Sequence, residues 1–308
     1  MVQATHTLSH MSQFRGYVMI VLAMLSFAVG WSFVVATDGA FTSWQLIMLR
    51  GVVFAVTLTP WTIRNPRIAK GQNRRLLIVR GLLGTSMMIA LAYAVLLLPL
   101  SMATILGKTT PLWDLLFLWV LLAVRPIRSE LLLVPVAFAG MVLILVPGGQ
   151  LNIATVSYLG LAMGLTAGLI NCLEYITLRW LRRSDKTHTI NLWYAAISII
   201  FTAPFALGSP WPDQPMIWLY AVLFALVSFT GQTLQSEAME TITPTVASVS
   251  ALLVPAFATL IGWVVFGQVL SGLELVGITV VLTAGALVQL RESRQRDTLT
   301  AAKFRWQR

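Results

Sequence analysis

The chain has 308 residues, 57% of them apolar and only 10% charged, whereas a soluble domain carries about 25% charged residues. A formal charge of +10 at pH 7 would suggest nucleic acid for a soluble chain, but the basic residues are placed in a way that excludes that reading. The single cysteine, Cys172, excludes an intramolecular disulfide and a cysteine-built metal centre.

Residues 1–14 are polar, include His6 and His10, and read as a disordered cytoplasmic lead. The apolar run that follows, Val18 to Val35, has no small-x-small cleavage site and reads as a retained helix rather than a signal peptide. Ten windows of about 20 apolar residues, each long enough to cross the hydrocarbon core, recur along the chain. They lie near 17–36, 43–63, 76–97, 102–123, 130–147, 156–178, 188–207, 216–236, 244–266 and 272–290. The joints between them are short and rich in turn formers, which leaves no room for a soluble domain. An all-α membrane protein of ten transmembrane helices is expected.

The basic residues sort onto one side of such a chain. The joints and tail on the side of the N-terminus hold 18 of the 21 Lys and Arg, from Arg15 through Arg64, Arg125 and Arg182 to Arg308. The five joints opposite hold none, which by the positive-inside rule places both termini in the cytoplasm. The basic excess thus reports orientation and contact with anionic lipid, with no nucleic acid involved. Residues 292–308 form a basic cytoplasmic tail. Arg50, Arg80 and Lys108 are the three basic residues left within spans.

Sliding the chain along itself by 144 residues brings Gly16 onto Gly160, Pro60 onto Pro204, Pro111 onto Pro255, Trp119 onto Trp263 and Glu130 onto Glu274 without a gap. Residues 15–149 and 156–291 therefore read as two five-helix repeats. Five is odd, so the second copy enters from the opposite side. The result is an inverted repeat, an architecture of secondary transporters with a site near the midplane.

The run Arg80-Gly81, Gly84, Ala92-Tyr93-Ala94, Leu98-Pro99-Leu100, Ala103-Thr104 and Pro111 resembles the third and fourth helices of the drug/metabolite transporter superfamily, EamA type. Ala247-Ser248, Pro255, Phe266-Gly267-Gln268 and Gly277 echo it in the second half. The resemblance covers residues 17–290 and implies a ten-helix carrier of small organic solutes, commonly an exporter in a bacterial inner membrane. The family often has a Gly-Glu pair after the fourth and ninth helices. Here Ala123 to Arg125 and Gly267-Gln268 stand there, so no role of those carboxylates carries over.

The stretch Ser101 to Asp114 places Lys108, Pro111 and Asp114 at bilayer depth, where an ionised side chain costs about 2.5–3.5 kcal/mol on insertion scales. Pro111 removes one backbone donor and crowds the carbonyl of Gly107, which predicts a kink there. Lys108 and Arg50 together suit a carboxylate or phosphate, although Arg50 also reads as a structural residue bonding carbonyls at a helix junction. Asp114 lies about 240° round the helix from Lys108, so it pairs elsewhere: it either neutralises Arg50 or carries a coupling proton.

Arg80 and Glu174 fall near cytoplasmic helix ends, where snorkelling to the headgroups accounts for both. Glu174, beside Asn171 and Tyr175, is also the second candidate for a coupling proton. Trp113 lies deep and either stacks on substrate or faces lipid, and Tyr93 and Asn171 complete the candidate lining. Trp44, Trp61, Trp180, Trp211, Trp218 and Trp263 read as an interfacial belt. Gly160, Gly164 and Gly168 form a small-residue stripe for close helix packing.

Enzymatic signatures are missing. Gly30-Trp31-Ser32 has no mid-span histidine to act as base, and the sequence holds no HExxH, no paired intramembrane aspartates and no P-loop. No metal or cofactor is expected. The leading expectation is a secondary transporter, exporter or exchanger, of an amino-acid-like, zwitterionic or anionic metabolite. Its partners would be that small molecule, the lipid bilayer and a proton or counter-solute. A carrier of S-adenosylmethionine or nucleotide-linked solutes, broad drug efflux, and a non-transporting receptor or assembly protein stay open. Oligomeric state leaves no mark in the sequence.

Overall fold

A computed structural model describes residues 2–98, 100–120, 128–146, 157–267 and 269–306. Pro99, the joint containing Ala123 and Arg125, Gln268 and Arg308, all named above from the sequence, lie outside the described residues.

The elements are helices throughout: α1 (Val2–Ala36), α2 (Ser43–Arg64), the short α3 (Pro66–Ala69), α4 (Arg74–Leu97), α5 (Leu100–Gly107), α6 (Thr110–Val120), α7 (Arg128–Leu145), α8 (Tyr158–Leu181), α9 (Thr187–Leu207), α10 (Pro215–Ala238), α11 (Pro244–Ser250), α12 (Leu253–Phe266) and α13 (Gly272–Trp306). Among the described residues eight helical segments are long and apolar enough to cross a membrane, with α11 and α12 together forming one of them. Of the other two expected spans, one is the shorter apolar helix at 129–145 and the other is divided between α5 and α6. One expectation is corrected. The lead expected to be disordered is helical and continuous with α1, since no proline or glycine interrupts the chain between Val2 and Arg15.

Local chemistry fixes the helix ends. Thr42 and Gln45 close a reciprocal capping box at the start of α2, and Ser157 caps α8 by accepting from the Gly160 amide. Proline sets both interruptions. Pro111 has no N–H for the Gly107 carbonyl, and α5 ends at Gly107; Pro255 has none for the Ala251 carbonyl, and α11 gives way at Ala251. The kink expected at Pro111 is an interruption between Gly107 and Thr110, and the second repeat has a milder one at the matching position, where Ala251 and Leu252 keep right-handed helical dihedrals.

The halves meet with two-fold reciprocity. Helix α1 packs along α10 as α4 packs along α8, while α2 lies on α9 and α7 on α13. Individual contacts follow the 144-residue offset. A Cβ on Gly16 would strike Thr241 and Ile242, and one on Gly160 would strike Leu97 and Leu98, the same pair in the other copy. At the start of α2, Gln45 Nε2 donates to the carbonyls of Ser209 (3.4 Å) and Pro210 (3.0 Å). Its counterpart Thr189 donates from Oγ1 to the Ile68 carbonyl (3.1 Å). Contacts that recur with the halves exchanged are the mark of a two-fold interface.

The two ends of this bundle are closed by different chemistry. At the end that carries the α8–α9 joint, the Asp185 carboxylate accepts from the amides of Gln72 (2.7 Å) and Asn73 (3.2 Å), and Arg182 reaches Glu237 of α10 (3.4 Å) and Glu240 in the turn that follows it (2.5 Å). At the other end Phe41 stands where Asp185 does in the repeat, edge-on to Trp211 and Trp218.

Candidate functional site

Between those ends, charged side chains are buried in the helix bundle. Arg80 of α4 and Glu174 of α8 form an ion pair of 2.8 Å, with side chains 1% and 7% exposed. Gly84, one turn beyond Arg80, makes this possible: a Cβ there would come within 2.6 Å of Arg80 Nη1 and 2.8 Å of the Tyr194 ring. The expectation that both residues snorkel is corrected. They lie at facing positions of two closely packed helices, and pairing within the bundle satisfies each charge better than a stretch to the headgroups.

Tyr194 of α9 links this pair to a second cation. Its ring centroid lies 5.2 Å from the Arg80 guanidinium and 5.4 Å from that of Arg50, which also lies 5.1 Å from the ring of Phe54. These are cation–π distances. Arg50 Nη2 donates to Gln232 Oε1 of α10 (3.1 Å), while Arg50 Nε and Gln232 Nε2 have no partner. Arg50 is 7% exposed and has no carboxylate partner among the described residues.

Asp114 is the opposite case. It is fully buried on α6, facing α8 and α11, and neither carboxylate oxygen accepts a hydrogen bond. The Cys172 thiol and the Ser248 hydroxyl lie alongside, but Ser248 Oγ donates to the Thr245 carbonyl (3.0 Å). The expected pairing of Asp114 with Arg50 is not formed: α2 packs chiefly on α9, α10 and α4, whereas α6 packs on α8, α11 and α7.

The interruption between α5 and α6 is seated on the glycine stripe of α8. A Cβ on Gly164 would meet Leu106, and one on Gly168 would meet Thr109 and the Leu106 carbonyl. Thr110 Oγ1 donates to the freed neighbourhood of that stripe at the Gly168 carbonyl (3.2 Å) and accepts from Asn171 Nδ2 (3.1 Å). Asn171 therefore holds the start of α6 against α8. Trp113 is half-buried, with its indole N–H on Thr109 Oγ1 (3.2 Å). Lys108 occupies the interruption itself, half-buried, and its ammonium has no partner among the described residues.

Tyr93 is not brought to this layer. It is 44% exposed and edge-on to Trp44, which stacks on Phe205. Phe54, Tyr194 and Gln232 belong to the layer and were missed, because one aromatic or amide in an apolar helix carries no signal until the facing helix is known. Ser32 donates to the Ala28 carbonyl (3.1 Å), an ordinary helix back-bond.

An all-helical bundle of apolar spans among the described residues, two-fold in its contacts and interrupted at matching prolines around buried charges, defines a multi-pass integral membrane protein built from two repeats. The EamA-like transporter family model matches residues 14–146 and again 158–290, and the chain belongs to that family. Among similar proteins, the pseudopaline exporter CntI of Pseudomonas aeruginosa UCBPP-PA14 is 22% identical over 275 residues, covering 87% of this chain and 94% of its own. An uncharacterized transporter of Helicobacter pylori J99 is 25% identical over 293 residues, covering 89% and 94%. A solved crystal structure at 19% identity superposes with a TM-score of 0.75 over 91% of this chain and 98% of its own, which shows the shared fold.

Proposed function

We propose that this chain is a secondary transporter that exports an amino-acid-like, zwitterionic or anionic metabolite by alternating access, from a bacterial inner membrane with both termini in the cytoplasm. The observation that carries the reading is the pair of buried, uncompensated groups of opposite sign, Arg50 and Asp114. A buried charge without a partner is costly and is retained where a ligand completes it. The acidic end of a substrate would lie against Arg50, and its ammonium end would lie against Asp114.

The two halves supply the movement. Closure at the cytoplasmic end rests on Arg182, Asp185, Glu237 and Glu240, and closure at the outer end on Gln45 and the Phe41 aromatic cluster, so each set opens in turn. Export as the direction is supported by the relative named as an exporter. Between the two proton-coupling candidates, Asp114 is favoured, because Glu174 is already engaged by Arg80. Lys108, at the interruption, and Trp113, in the first turn of α6, would meet a substrate entering from one side.

The test uses ω-amino acids of increasing chain length, presented to purified protein for thermal stabilisation and to proteoliposomes for counterflow. One chain length is expected to stabilise best and to be exchanged. Arg50→Gln and Asp114→Asn are expected to lose both responses while remaining monodisperse. Equal response at all lengths, or full exchange by both variants, would remove Arg50 and Asp114 from the substrate site. Orientation is tested separately: Pro210→Cys should label from outside and Arg183→Cys only after permeabilisation, and the reverse pattern would invert the assignment.

A further inference from the structure

The arginine end of this layer has more donors than one acidic group can use. Arg80 is 1% exposed, and although one side of its guanidinium faces Glu174, Nε and Nη1 have no acceptor. Arg50 Nε and Gln232 Nε2 are also buried without an acceptor. These four donor nitrogens come from α2, α4 and α10 and are gathered around one ring, that of Tyr194, on which both guanidiniums lie. Among the described residues one carboxylate, Glu174, is in contact with these two fixed cations. Buried donors on cations are normally paired, so a cluster of unpaired ones marks the place of an absent acceptor.

We propose that Arg50, Arg80 and Gln232 form a single anion subsite that takes a substrate end bearing two carboxylates, and that Tyr194 is the positioning residue that sets the spacing of the two guanidiniums. The proposal deepens the reading of this layer as a substrate site and rests on it. One carboxylate can be held bidentately by one guanidinium, which leaves the second guanidinium and the amide for another. The remaining net positive charge has the sign that the second carboxylate needs. Gly84 contributes by leaving room between α4 and α9 for the guanidinium to lie flat beside the ring.

The experiment compares two synthetic ligands of equal chain length, an ω-aminoalkylmalonate and the matching ω-amino monocarboxylate, binding to the purified full chain by isothermal titration. The malonate is expected to bind at least ~10-fold more tightly, since a site built for a charged group rejects the ligand that lacks it. In the charge-balanced double variant Arg80→Met with Glu174→Met, which leaves no orphaned charge to impair folding, the ratio is expected to fall to about one. Tyr194→Leu should lower the ratio and Tyr194→Phe restore it, because the ring and not the hydroxyl holds the guanidiniums. A ratio near one in the wild type would overturn the diacid subsite while leaving the transporter reading in place. An undiminished ratio in the double variant would remove Arg80 from it. Failure to bind either ligand would overturn both.

Discussion

Arg80 with Glu174 and Arg50 with Asp114 make a comparison inside one molecule. All four are buried, and each set contributes one charge of either sign. The first set closes on itself at 2.8 Å, whereas the second is held apart on helices that have different neighbours. The difference lies in what each set still lacks. The closed pair fixes the register of α4 against α8 through one edge of Arg80 and leaves Nε and Nη1 without an acceptor, while the divided set leaves both charges for a ligand that spans the gap.

Breaking the closed pair should have the largest effect on stability. Arg80→Met alone leaves the Glu174 carboxylate buried and uncompensated, which costs about 3–5 kcal/mol. It should lower the thermal midpoint and the yield sharply, and the double variant with Glu174→Met should recover most of the loss. In the divided set the balance is reversed. Asp114→Asn removes an unpaired buried charge, so stability measured by thermal unfolding should hold or rise by about 1 kcal/mol, while counterflow falls by roughly 100-fold. A destabilised Asp114→Asn protein would show that the carboxylate has a structural partner and would erase the contrast.

Smaller effects sharpen the same comparison. Gly168→Ala places a methyl against Thr109 and the Leu106 carbonyl, which should cost about 1–3 kcal/mol and shift the start of α6, which carries Asp114. Its effect on transport should exceed that of Gly285→Ala, where a Cβ meets nothing within 4 Å. Smallest of all, Glu240→Gln loosens a partly exposed contact to Arg182 and should change stability by less than about 1 kcal/mol. It should still raise the accessibility of a cysteine placed at Arg183, at the α8–α9 end, to a thiol probe.

Features set by local sequence were legible. The apolar spans, the proline interruption after Gly107 and the close packing on Gly160, Gly164 and Gly168 follow from backbone chemistry along one helix. The repeat was legible because the two copies share an unbroken offset, and the contacts of Gly16 and Gly160 obey it. Rotation of one helix against another was not. Arg80 and Glu174 each look like headgroup anchors until α4 and α8 are set face to face, and Tyr93 looks like lining until it is found beside Trp44 on the exposed flank. Tyr194 and Gln232 gave no sign for the same reason: their role exists only between helices.

The most direct measurement of whether the divided charges serve a ligand is a cycle that removes Asp114 from the protein and the ammonium from the ligand. Isothermal titration would compare an ω-amino acid with the alkanoate of equal length, on wild type and on Asp114→Asn. Loss of the ammonium is expected to weaken binding to the wild type by at least ~10-fold and to leave the variant's affinity unchanged, because the two deletions remove one interaction. Equal, additive losses in both proteins would mean that Asp114 does not face the substrate.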